Sequence, residues 1–303
     1  MKPLTVLAVT IGMMLAAAPA EAATDWGADA FSAPKGAVDA AELTMGAEFE
    51  SYALYSNIDR PGTLDSKKMA HAIEENALVY VNINSQVVGQ RGDVVPICWT
   101  AVAAGHRDAQ LELWAQGILA TGYHNFVITF NHEPMWDSPS QPKCSNRYDN
   151  PTTYKLAYNH VRNLFIADGV DAPWAYVMTW GATQWDGGLL YRPAPRNFQV
   201  IGTDQYYRCN DALYAPADAF ASFFAWTAKY APTKPVLVGE IGALSTCPVR
   251  SLRWLGNAKT RLLAHNVLAI NWNLRTDPDK EYNPLLQPDI ATWWLAWAAD
   301  ETG

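Results

Sequence analysis

Residues 126–133 read FVITFNHE, and Pro134 closes the run. From Phe126 to Phe130 the side chains are apolar but for one threonine, without the polar alternation of a half-exposed strand. A strand covered on both faces reads this way, and such strands belong to parallel sheets walled by helices. Seven further runs have a similar character: Leu43–Phe49, Ala77–Asn82, Val94–Trp99, Trp174–Trp180, Phe198–Asp204, Pro235–Glu240 and Val267–Trp272. Helical stripes fall between them. Leu111, Trp114, Ala115, Ile118 and Leu119 make one, and Tyr154, Ala157, Tyr158, Val161 and Phe165 a second. Phe220, Phe223 and Phe224 make a third, and Ile290, Trp293, Trp294 and Trp297 a fourth. Each offers one apolar face to a sheet. Eight strands separated by helices predict a (β/α)8 TIM barrel, with a doubly wound sheet as the rival that the count of eight disfavours. Helices are expected to be weak or missing after the second and fifth strands. There Ser85–Asp93 and Gly181–Asn197 are too polar, or too rich in Gly and Pro, for a crossover helix.

The surrounding chain is compatible with one large domain. It has 303 residues, half of them hydrophobic and 17% charged, which excludes a disordered or fibrous protein. Against 22 Lys and Arg stand 30 Asp and Glu, a net charge of −8 without a basic run. Nucleic acid and anionic membranes are therefore poor partners. Met1-Lys2, an apolar stretch from Leu4 to Ala18, and the small-x-small site Ala20-Glu21-Ala22 predict a signal peptide over 1–22. The run is too short for a membrane anchor. A barrel domain over 23–303 would follow, secreted to the cell exterior or the periplasm and free of the membrane after cleavage. Four cysteines in an oxidising compartment allow two disulfides in three connectivities, with free buried thiols as the alternative. Cys98–Cys144 and Cys209–Cys247 are preferred, because each pair joins loops at one end of the expected barrel. No C-x-x-C spacing points to zinc, and no metal is expected.

Barrel chemistry collects where the strands end. The fourth strand delivers Glu133, with Asn131 and His132 beside it; the seventh, KPVLVGEIG, delivers Glu240. The fifth ends at Trp180, the sixth at Asp204 and Tyr206, and the eighth at Trp272. Asn82 and Asn84, at the end of the second run, are lesser candidates. Two carboxylates facing each other across one mouth are what glycoside hydrolysis requires: one protonated to serve the leaving oxygen, one ionised to attack or stabilise the anomeric carbon. On that reading the charge of Glu240 and partial burial should hold the proton on Glu133. The pattern lacks the second histidine of a zincin, a G-x-S-x-G elbow, a dinucleotide-binding glycine motif and a P-loop.

The segments AAGHRDAQLELWAQGILATG, FVITFNHEP, WAYVMTW, YRPAPRNFQVIGTDQYY and KPVLVGEIGA, in this order and spacing, resemble the retaining glycoside hydrolases of clan A, and most closely the family 26 β-mannanase-like proteins. The resemblance runs from about Val94 to Trp272. It implies an eight-stranded barrel, Glu133 as general acid/base and Glu240 as nucleophile. It also implies sugar binding by His132, a hydrogen bond from Tyr206 to the nucleophile, a subsite floor at Trp272, and stacking on Trp180 and Trp136. Asn131 and Asp204 would complete the substrate contacts. The chain departs from the family at Thr129, where the mannanases usually carry arginine, and at Pro134-Met135-Trp136-Asp137, where Met-Asn-Gly usually follows the His-Glu pair.

The expected function is thus a secreted, retaining and endo-acting β-mannanase-like enzyme. It would work on a polysaccharide or oligosaccharide as a monomer without a cofactor. A β-glucanase or β-xylanase of the same clan is the near alternative. A carbohydrate-binding barrel that has lost catalysis is the alternative from another class, and a cell-wall attachment module finds no supporting repeat or anchor.

Overall fold

The computed structural model describes residues 25–28, 42–43, 49–65, 67–88, 94–135, 144, 150–179, 181–183, 186–208, 220–244, 247–273, 276–277, 280–281 and 292–293. Eight parallel strands form one sheet: β1 Asp25–Ala28, β2 Ser51–Asn57, β3 Leu78–Asn84, β4 Phe126–Phe130, β5 Ala175–Thr179, β6 Val200–Tyr207, β7 Val236–Ala243 and β8 Val267–Trp272. Neighbours in the sheet are neighbours in sequence, β1 pairs with β8, and a bridge between Ile128 and Trp174 joins β4 to β5. The sheet therefore closes on itself as a (β/α)8 barrel.

Six of the eight expected runs are barrel strands. The other two are not. Glu42 and Leu43 are helical, and the second strand starts only at Ser51. Polar residues hid that strand, yet they are tolerated because they are paired: the buried Ser51 hydroxyl donates to Asn271 Oδ1 at 2.9 Å. Val94–Pro96 lies outside the barrel, antiparallel to Gln86–Val88 in a small hairpin. Pro96 has no N–H to give to a central ladder, which explains the exclusion. The polar Ser85–Asp93 stretch is thus part of the β3-to-β4 connection rather than a missing crossover helix. The first strand, Asp25–Ala28, lacks an apolar run and is defined by its pairing to β8 and β2. The two changes offset, so Glu133 and Glu240 still follow the fourth strand and sit on the seventh.

The helices are α1 Lys67–Glu74, α2 Trp99–Ala103, α3 Asp108–Ala120, α4 Pro151–Ala167, α5 Gly187–Leu190, α6 Ala221–Tyr230 and α7 Pro248–Leu263. The α4 stripe is buried throughout. Asn150 caps that helix, its side chain accepting from the backbone of Thr152 and Thr153 while Thr153 answers the cap, a pairing worth about 1 kcal/mol. In α3 the stripe holds at Leu111, Trp114, Ala115 and Ile118, but Leu119 is exposed. Phe220, Phe223 and Phe224 are buried at α6. Of the fourth stripe only Trp293 is described; it is helical and packs against the core. Among the described residues the connection after β5 holds the four-residue α5 and a 3-10 turn over Pro195–Asn197 but no long helix, as the Gly- and Pro-rich sequence led one to expect.

Two apolar layers result. The larger lies between sheet and helices. The smaller fills the barrel and includes Leu78, Tyr80, Val127, Val177, Leu237 and Ala269. Cys98 and Cys144 are disulfide-bonded with their Cα atoms 5.4 Å apart, tying the start of α2 to the loop after β4. Cys247 is also disulfide-bonded; Cys209, its expected partner, lies outside the described residues. Among the described residues no helix is long and apolar enough to cross a membrane.

Candidate active site

Side chains of the inner face point alternately into the barrel, and the polar ones gather at the C-terminal end of the sheet. Strand β7 breaks the alternation. Across β6, Thr203 pairs with Val238 and Asp204 with Glu240, so β7 carries one residue too many, Gly239. The same excess appears against β8, where Ile270 faces Val238 and Trp272 faces Ile241. Leu237 packs inside the barrel, Val238 and Ile241 outside. Strict alternation would send Glu240 outward; the bulge turns it inward beside Gly239. A Cβ at position 239 would stand 2.6 Å from Asp204 Oδ1, with Tyr80 and Val177 next nearest, so this bulge requires glycine. Gly239→Ala is accordingly expected to lose about 1–3 kcal/mol through overpacking and to push Asp204 off its position. An unchanged thermal unfolding midpoint would refute the close packing.

Glu240 is 7% exposed, and two groups hold its carboxylate. The Tyr206 hydroxyl donates to Oε2 in a short hydrogen bond. Asn273 Nδ2 donates to the same oxygen at 3.2 Å and to the Tyr206 hydroxyl at 2.5 Å. Burial pushes the Tyr206 phenol well above its ordinary value, and the charges of Glu240 and Asp204 push it further. It therefore stays a donor through the acid and neutral range.

His132 stands between the two acids. Its Nε2 lies 3.7 Å from Asp204 Oδ2 and 3.8 Å from Glu240 Oε1. Its backbone N–H donates to Asn82 Oδ1 at 3.0 Å, and its Nδ1 lies 2.7 Å from Asn82 Nδ2. Tyr55 from β2 meets the imidazole edge-on, ring centroids 4.9 Å apart. His132, Asp204 and Glu240 each bring one ligating atom to within 4.8 Å of the others. The Asn82 amide, however, presents N–H to Nδ1, which makes Nδ1 the acceptor and leaves the ring proton on Nε2. A protonated nitrogen has no lone pair for a cation, so the cluster reads as a hydrogen-bonding set rather than a metal centre.

Glu133 follows β4 with φ 50°, in the left-handed region, a conformation costing about 1–3 kcal/mol that concentrates at functional sites. Its N–H donates to Val177 O at 3.0 Å. From α4 the Tyr154 hydroxyl reaches the Phe130 carbonyl at 3.2 Å, supporting the turn from below. The buried hydroxyl of Tyr80, inside the barrel, reports on the carboxylates above it. Burial raises it most, and the charges of Asp204, Glu240 and Glu133 raise it further. Glu133 directly follows His132, whose Nε2 lies 3.8 Å from Glu240 Oε1, so chain connectivity brings the two glutamates to the same end of the barrel.

The remaining expectations divide. Tyr206, Asp204 and His132 are brought to Glu240. Asn131 is fully buried, and its Oδ1 accepts from Ser85 N at 2.6 Å. Its amide fastens the end of β3 to the end of β4, which removes it from substrate contact. Trp272 is 1% exposed and packs in the outer layer between the inward-facing Asn271 and Asn273, so it offers no open ring face for a sugar. Trp180 and Trp136 lie outside the described residues. Reasoning from sequence overlooked Tyr55, Tyr80 and Asn273. Asn273 satisfies the same strand-end criterion that selected Trp272, whereas Tyr55 lies on a strand the apolar pattern did not disclose.

No known family model matches the chain, and no curated protein matches it in sequence. Solved structures do. An endo-β-1,4-mannanase of Cellulomonas fimi, studied as a double mutant, superposes with a TM-score of 0.68 at 14% identity, covering 92% of this chain and 71% of that one. A family 26 β-mannanase of Bacteroides ovatus gives 0.63 at 17% identity, covering 92% and 87%. The family 26 domain of a Prevotella bryantii endo-β-mannanase/endo-β-glucanase gives 0.62 at 14%, covering 91% and 88%. At these identities the likeness speaks for the fold alone: the chain has a (β/α)8 barrel similar to those of the family 26 β-mannanases.

Proposed function

We propose that this protein is a secreted, retaining glycoside hydrolase that cleaves β-linked polysaccharide internally, with β-mannan as its first candidate substrate. The observation that carries the reading is the held carboxylate of Glu240, fixed by Tyr206 and Asn273 at the barrel end that Glu133 also occupies. The family 26 β-mannanases of like fold, the export-type N-terminal segment and the disulfide at Cys98 support it.

In this mechanism Glu240 attacks the anomeric carbon while Glu133 gives its proton to the departing glycosidic oxygen; the C–O bond breaks and a glycosyl ester of Glu240 forms. Water then attacks that carbon, Glu133 takes the water's proton, and the ester bond breaks to free Glu240. His132 Nε2–H provides a donor for a sugar hydroxyl next to the nucleophile, and the fully buried Asp204 stands behind that nitrogen at 3.7 Å and helps to orient it. The chemistry requires no metal or cofactor.

Purified protein tested on mannan, glucomannan, mixed-linkage β-glucan and xylan should release reducing ends from mannan first. Proton NMR of the initial product should show the β-anomer. Activity on β-glucan or xylan alone would move the substrate, and an inverted product would overturn the double displacement. Binding without turnover on the whole panel would favour a carbohydrate-binding barrel, a reading to which Thr129 and the Pro134–Asp137 run lend weight. The rate should be bell-shaped with an acidic optimum. The two limbs belong to the mechanism itself, which needs one carboxyl ionised and the other protonated at the same time. Tyr206 and Tyr80, pushed upward by burial, add no limb in that range. A flat profile from about pH 4 to 8 would exclude the two-carboxylate mechanism.

A further inference from the structure

The Asn82 side chain can be oriented without ambiguity. The His132 backbone N–H has only a proton to offer, so the Asn82 atom 3.0 Å from it must be the carbonyl oxygen. The amide nitrogen then faces the other way, where its two hydrogens meet Asn84 Oδ1 at 2.9 Å and His132 Nδ1 at 2.7 Å. A second proton on the imidazole would have to sit on Nδ1, against an N–H that has nowhere to turn. Among the described residues the carboxylates around the ring pull the opposite way. Asp204 from β6 and Glu240 from β7 lie under 4 Å from Nε2, Glu133 follows in the chain, and Tyr55 from β2 packs edge-on as a neutral phenol. Two nearby carboxylates favour an imidazolium. An imidazolium would neutralise part of the charge that Glu240 brings to the anomeric carbon.

We infer that Asn82 is a positioning residue whose amide holds His132 as the neutral Nε2–H tautomer, so that the ring donates to substrate without cancelling the charge on Glu240. The kinetic half of this inference rests on the proposed glycosidase function; the tautomer does not. It assigns Asn82 a task that its strand-end position alone leaves open, and it separates two parts of one cluster: Tyr206 and Asn273 hold the nucleophile, while Asn82 sets the proton on its neighbour.

The test uses the full chain labelled with 15N-histidine. In the wild type near pH 7 the His132 nitrogens should give the widely split pair of a neutral imidazole, protonated on Nε2. In Asn82→Asp the carboxylate still accepts the His132 backbone N–H but now also accepts from Nδ1. The ring should become an imidazolium near pH 7, its titration moved up by about two pH units. With 2,4-dinitrophenyl β-mannoside, kcat of Asn82→Asp should fall about tenfold or more at the acidic optimum with KM changed far less. Part of it should return at higher pH as the ring loses its extra proton. A wild-type imidazolium, a wild-type Nδ1–H tautomer, or an Asn82→Asp spectrum like that of the wild type would overturn the proposal. The wild-type spectrum decides the tautomer even where the variant fails to fold. Protein inactive on every glycoside yet showing the neutral Nε2–H signal would sink the glycosidase function and leave the tautomer standing.

Discussion

Glu240→Ala should lower kcat on any glycoside by at least about 10⁴-fold, and azide should restore part of the rate on 2,4-dinitrophenyl β-mannoside. The size of the loss follows from the role. Without a carboxylate at this position the glycosyl cation has neither a covalent partner nor an opposing charge, while Tyr206 and Asn273 are left aiming hydrogen bonds at an empty volume. Azide is small enough to enter that volume and attacks the anomeric carbon from the side Glu240 occupied, opposite the leaving group, giving an α-glycosyl azide as product in a single inversion. The azide adduct is the decisive observation, because a destabilised barrel would lose activity without gaining a new product. A β-configured adduct, or full activity in the alanine variant, would remove Glu240 from the nucleophile's role.

Glu133→Gln separates the two proton transfers. On polysaccharide, whose leaving oxygen needs a proton, kcat should fall about 10³-fold, within the range for general acid catalysis. On a dinitrophenyl glycoside the leaving group departs without help, so the first step is spared. The second step still lacks its base, so a burst of dinitrophenol equal to the enzyme concentration should precede a slow steady state. Equal losses on both substrates would make Glu133 a binding group. The left-handed backbone at Glu133 makes glutamine the right replacement: it keeps the side-chain length and the turn anchored to Val177 while deleting only the acid.

Much of this was legible in the linear chain. FVITFNHE and KPVLVGEIG announce buried parallel strands that carry carboxylates toward their C-terminal ends because burial on both faces leaves a local signature, a run without alternation. The stripes of α3, α4 and α6 are local in the same sense. The two strands that escaped, Asp25–Ala28 and Ser51–Asn57, lack that signature. One is too short and polar to form a run, and the other satisfies its serine through Asn271, 220 positions away. Val94–Pro96 misled for the converse reason, since an apolar run beside a proline is as much at home in an edge hairpin as in a barrel.

At the site the division is sharper. Sequence alone pointed to the barrel class, to Cys98–Cys144 as the preferred pairing, which the structure contains, and to Glu133 and Glu240 on the fourth and seventh strands, since each depends on residue type and spacing along the chain. The tertiary structure decided that Glu240 faces inward at all, because the bulge at Gly239 exists only in the register of β7 against β6 and β8. It also decided that Asn131 braces a loop, that Trp272 is buried, and that Asn82 and Asn273 attend the two central side chains. Those partnerships join residues up to 67 positions apart. Periodicity tells each strand which face to bury; only the pairing of strands tells a side chain whom it meets.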